Sequence, residues 1–154
     1  MTNALLDNAY APVTFRYGFI ESPFAQVADA FISWQKDIFS HSRGRIEFAH
    51  FSAPLPSALA RLEPLTTPQD RHLLVQTRSN WTAIFSNGLR VNDVFSPVSY
   101  LPTLLKCRGV EVVCVPDRSD NPPIDALRVY GTVVFALYGP PRKLTGSTGF
   151  AISR

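Results

Sequence analysis

Val13-Thr-Phe-Arg-Tyr-Gly-Phe-Ile-Glu-Ser-Pro-Phe24 joins two periodicities in one short run, and the fold class follows from the join. Val13, Phe15, Tyr17 and Phe19 alternate with smaller or polar residues, so 13–20 reads as a strand with one apolar face. Ser22 and Pro23 then mark a helix start, because Ser22 can cap free amides and proline has no N–H to waste in a first turn. Phe24, Val27, Phe31, Trp34 and Ile38 follow at helical spacing and predict an amphipathic helix to about Phe39.

Working outward, 45–51 alternates Ile46, Phe48 and His50 and predicts a second strand, after His41-Ser-Arg-Gly44 has ended the helix. A helical crossover permits the two strands to run parallel, adjacent or split by another strand. Ala58, Leu59, Leu62 and Leu65 predict a short second helix among Pro54, Pro56 and Pro64. The segments 71–77 and 81–86 predict an antiparallel hairpin, followed by an Asn87-Gly88 turn. Ser96-Pro97 repeats the earlier start signal and opens a third helix towards Cys107, with Pro102 expected to kink it and Gly109 to close it. Strands are expected over 110–115 and 127–138, with the proline-rich loop 117–125 between them.

The expected fold is therefore α+β, a mixed or largely antiparallel sheet of about six strands with two or three helices packed on it, in the order β-α-β-α-β-β-α-β-β. A chain of 154 residues, 45% apolar and 18% charged, with eleven Phe, five Tyr and two Trp, suits one compact domain rather than two or a disordered chain. That domain is expected over 1–139. Residues 140–154 carry no helical or strand period and read as a flexible basic tail, a truncated or non-native ending to the domain. Cutting the chain after Gly139 is expected to leave cooperative thermal unfolding nearly intact, and a melting temperature lowered by many degrees would refute it.

The formal charge of +3 suggests nucleic acid until it is located. Arg142, Lys143 and Arg154 account for all of it, leaving 12 basic against 12 acidic side chains in the body. Duplex binding needs clustered cations to displace counterions, so nucleic acid is not an expected partner. Residues 1–7 offer no secretory leader, and the longest apolar run, 129–138, is about half a membrane span of roughly 20 residues. A soluble, cytoplasmic protein with no membrane partner is the expectation.

Catalytic patterns are weak. His41, His50 and His72 have no metal-ligand spacing, although Asp70 and His72 could form a two-ligand strand pair. Cys107 and Cys114 read as reduced core thiols, Cys107 disfavoured as a thiolate by the nearby helix C-terminus. No phosphate-binding loop or nucleophile elbow is present, so neither cofactor nor metal is expected and enzymatic activity is disfavoured. The densest polar chemistry lies in 78–97, where Trp81, Asn87, Arg90, Asn92 and Asp93 exceed what a hairpin, a turn and a helix cap require. These five are the expected binding residues of a non-enzymatic protein-binding domain acting through the 80–95 hairpin and loop. Its outline is that of small inhibitors and bacterial toxin-immunity proteins, an analogy of general appearance alone. The alternative is an enzyme or small-molecule binder with a pocket at the sheet edge, using Arg90, Asp93 and His50 or His72.

Overall fold

The computed structural model describes residues 5–41, 44–66, 68, 70–87, 94–114 and 133–138. The expected domain boundary, the loop 117–125 and the tail lie outside them. Among the described residues there are five strands: β1 (Arg16–Ile20), β2 (His72–Gln76), β3 (Thr82–Ser86), β4 (Gly109–Cys114) and β5 (Val133–Tyr138). Three helices accompany them: α1 (Phe24–Phe39), α2 (Leu55–Ala60) and α3 (Phe95–Leu105). The strands form one sheet in the order β2-β3-β1-β4-β5, with every neighbouring pair antiparallel. The α+β class stands, and among the described residues the order is β-α-α-β-β-α-β-β.

Two pairs of parallel strands arise without touching. β1 and β2 both oppose β3, so they run parallel with β3 between them; β3 and β4 likewise flank β1. Two interlocked split β-α-β units of this kind are the ferredoxin-like connection order, here extended by β5 beside β4. The first crossover skips 45–51 and lands in β2. Those residues belong to no strand, which corrects the expected second strand. Their alternation supplies a side-chain pattern, but a strand also needs a partner backbone, and Phe48 stays 47% exposed.

Both faces of the sheet bury apolar side chains. On one, Ile20 and Ile84 pack with Val27 and Phe31 of α1 and with Val98 and Leu101 of α3. On the other, Leu73, Ala83 and Phe85 pack with Ala58 and Leu59 of α2 and with Val13. Fully burying a Val, Ile or Leu side chain stabilises the fold by about 1.5–3 kcal/mol. Trp34 stacks on Tyr100, ring centroids 5.0 Å apart, which ties α1 to α3. Ile38, the last member of the helical stripe, is 51% exposed. Glu111, on the helix-covered face of β4, is buried but ion-paired, its Oε1 lying 2.7 Å from Arg16 Nε.

Several start and stop signals act differently from expectation. Pro23 is the N-cap of α1, and the Ser22 hydroxyl donates to Gln26 Oε1 at 3.0 Å instead of capping the amides. Ser96 and Pro97 sit inside the first turn of α3, where the missing N–H is harmless. The helix runs on through Pro102 and is closed by Lys106 in the left-handed region (φ 55°), with the Cys107 N–H donating to the Pro102 carbonyl at 2.9 Å. Gly109 therefore does not close α3. It opens β4, where a Cβ would come within 2.7 Å of the Val98 carbonyl oxygen.

Candidate functional site

β2 ends the sheet among the described residues, and its outer edge borders a sizeable cavity. This cleft of about 640 Å³ lies between β2 and segment 47–53, which belongs to no helix or strand. All five residues of β2 line it, as do all seven of 47–53. Consecutive residues of a strand alternate between its faces, so a cavity that touches every one runs along the backbone edge. The site is a slot between the edge of β2 and segment 47–53. Phe24, Ala28, Phe31 and Ile32 of α1 wall it on one side, and Ala58 of α2 meets it on the other.

The hydrogen-bond register shows what β2 presents to the slot. Beyond each end of the β2–β3 ladder, the Asn87 N–H donates to the Arg71 carbonyl (3.2 Å) and the Thr77 N–H to the Trp81 carbonyl (3.3 Å). Bonded and non-bonded pairs alternate in an antiparallel ladder, so Leu73 and Val75 also bond to β3 while His72, Leu74 and Gln76 face away. Among the described residues nothing pairs with the outward N–H and C=O of Leu74 and Gln76. Across the slot, 47–53 is held by side chains: Phe24 against His50, Lys36 over Phe48 at 5.9 Å and Arg61 over Phe51 at 3.9 Å. Its own backbone makes no hydrogen bond among the described residues.

His50 and His72, alternatives in the expected small-molecule pocket, are both among the residues that line this slot. His72 packs edge-on against Phe31 at 5.2 Å. His41 is elsewhere, its Nδ1 2.5 Å from Ser40 Oγ. Among the described residues no three of His, Cys, Asp and Glu gather as a metal would require. No helix there is long and apolar enough to cross a membrane.

Of the five residues expected to bind, Arg90, Asn92 and Asp93 lie outside the described residues. Trp81 and Asn87 flank opposite ends of β3, roughly 20 Å apart at about 3.3 Å per residue. Trp81 is half-buried at the rim of a shallower groove of about 370 Å³ lined by Phe19, Thr77, Ser79, Val110 and Val112. Arg108 lies over its ring at 5.7 Å and donates both Nε (2.5 Å) and Nη2 to the Glu21 carboxylate. The hydrogen bond to Glu21 raises the guanidinium above its ordinary pKa and fixes it beside the indole.

Asn87 points inward instead. It is fully buried; its Nδ2 donates to the carbonyls of Leu62 (2.5 Å) and Pro64 (3.0 Å), and its Oδ1 accepts from the Arg71 N–H at 2.8 Å. All of its side-chain hydrogen-bonding groups are engaged inside the fold, fastening the α2–β2 connection to the end of β3. No local signal distinguishes such an Asn from a turn Asn, since its partners lie far away in sequence.

Cys107 is half-buried, and burial, followed by the nearby Glu21 charge, raises its thiol pKa. At any pH below that value a smaller fraction is thiolate than in a free thiol. Iodoacetamide is expected to alkylate folded Cys107 several-fold more slowly at pH 8 than it does a Cys107-containing peptide. Equal or faster alkylation would contradict this environment. Compared with known proteins, the chain matches no family model, no curated sequence and no solved structure.

Proposed function

We propose that this is a non-enzymatic binding domain that takes an extended segment of a partner protein as an added strand in the slot beside β2. The observation that supports this is a sheet edge that is unpaired among the described residues, with a slot along its whole length. Strand addition draws affinity from main-chain hydrogen bonds and selectivity from pockets for alternate side chains. Leu74 and Gln76 supply two donors and two acceptors at the spacing of an antiparallel partner. The residues expected at 80–95 then contribute differently: Asn87 stiffens the base of β2, and Trp81 with Arg108 offers a separate contact at the far end of β3.

The test is hydrogen exchange on the intact chain with bound peptides selected from an unbiased heptapeptide library. The amides of Leu74 and Gln76 are expected to slow at least tenfold, while those of Leu73 and Val75, already bonded to β3, change little. Failure of the library to yield a binder, or binding that leaves Leu74 and Gln76 unchanged, would overturn the proposal.

His50 and His72 favour a second reading in which the same slot holds a small molecule. Thermal-shift screening against metabolite classes separates the two, because a ligand at a hundred times its Kd stabilises by about 2.7 kcal/mol. A metabolite that does so, with no peptide able to compete, would favour this reading.

A further inference from the structure

We infer that the strand taken by the slot is uncharged and apolar on both of its faces, in contrast to the alternating apolar and polar pattern of a half-exposed strand. The inference rests on the strand-addition reading and deepens it. A strand added beside β2 continues the sheet, so its side chains alternate between the two layers that cover β2. Towards α1 they meet Phe24, Ala28 and Phe31; towards α2 they meet Ala58 and Phe51. Both hydrophobic clusters of the fold reach this edge, Leu74 belonging to one and Leu73 with Val75 to the other. Of these walls, Phe31 and Ala58 are buried and Phe24, Ala28 and Phe51 half-buried, and strands covered on both faces are continuously apolar because neither face meets water.

Charge points the same way. Glu47 is the one acidic or basic side chain other than histidine among the lining residues described, and Arg45 pairs with it at 3.0 Å on the exposed surface. Lys36 and Arg61 are occupied over the rings of Phe48 and Phe51. A ligand carboxylate or ammonium placed inside the slot would lose hydration without gaining a counter-charge. The ligand segment is therefore about five residues, matching β2, with Val-, Ile- or Phe-type side chains at successive positions and no proline at those facing Leu74 and Gln76.

The experiment compares capped peptides with flanking lysines for solubility and a central five residues of three kinds: apolar throughout, glutamate at odd positions, or glutamate at even positions. Titration calorimetry against the full chain is expected to show the apolar core binding at least tenfold more tightly than either alternating peptide. A chain carrying Ala28→Glu, checked for unchanged unfolding, is expected to lose at least tenfold for the apolar peptide and to regain affinity when lysine replaces the residue facing α1. An alternating peptide that binds as tightly as the apolar one would overturn this inference and leave strand addition standing. Absence of binding by all three overturns the inference, and strand addition falls with it if the unbiased library also yields nothing.

Discussion

Replacing Asn87 by Ala is expected to cost about 3–5 kcal/mol of stability, more than any surface change in the 78–97 segment. The substitution strands the buried Leu62 carbonyl and the part-buried Pro64 carbonyl and Arg71 N–H around a side chain that itself has no solvent exposure. Each buried polar group left unmatched costs about 1–3 kcal/mol, and the bonds act as one clamp, so the loss exceeds that of a single bond. In a chain of this size the melting temperature should fall by roughly 10–15 °C. Urea unfolding at equilibrium measures it directly; a loss below about 1 kcal/mol, within the range of one ordinary hydrogen bond, would show that Asn87 is not the clamp described. Asp at the same position keeps the acceptor but loses both donors. It should fall close to Ala if the Leu62 and Pro64 carbonyls matter most.

Gly18→Ala is the second large expected effect. β1 passes directly under α3, and a Cβ at Gly18 would lie 2.1 Å from Val98 Cγ2 and 3.0 Å from Ile84 Cγ2. Neither neighbour has space to move into, since both are fully buried. Overpacking of this kind costs about 1–3 kcal/mol, occasionally more, and the shortness of the contact places Gly18→Ala at the upper end. Val98→Ala alone is destabilising too, because it leaves a cavity under α3. Together the two changes remove the clash and fill part of the cavity, so the double variant should be more stable than the sum of the single losses by at least about 1 kcal/mol. Strict additivity in the four-variant cycle would mean that α3 does not sit on Gly18 as described.

Much of the secondary structure was legible in local pattern. The apolar stripe of α1 and the alternation in the hairpin of β2 and β3 each fix a periodicity that one conformation satisfies, and the β-branched run around Glu111 marks β4. The failure at 45–51 is instructive. Ile46, Phe48 and His50 carry the alternation of a strand, yet pattern cannot supply a neighbour, and a cleft lies where the hydrogen bonds would have formed. Serine and proline misled by a position or two at both long helices, because a cap is decided by where the chain enters the helix as well as by residue type.

The candidate site divided in the same way. The sequence offered His50 or His72 as alternatives beside Arg90 and Asp93, and it is the fold that brings both histidines to the lining of one slot. The density of polar groups after β3 was visible too, but whether an Asn faces water or the interior depends on carbonyls more than twenty positions away. Phe24 and Phe31 read as core, and it is the unpaired edge of β2 beside them that turns a core wall into a lined slot.

By itself the sequence determined the α+β class, the helix and strand segments with a clear period, and a body of balanced charge, because these depend on neighbours within a few residues or on composition. Tertiary structure alone decided the strand order, which leaves β2 at an edge; the inward turn of Asn87; the close passage of β1 beneath α3; and the slot beside 47–53. Each depends on contacts between segments distant in the chain, and those are chosen by which surfaces pack best once the whole chain closes.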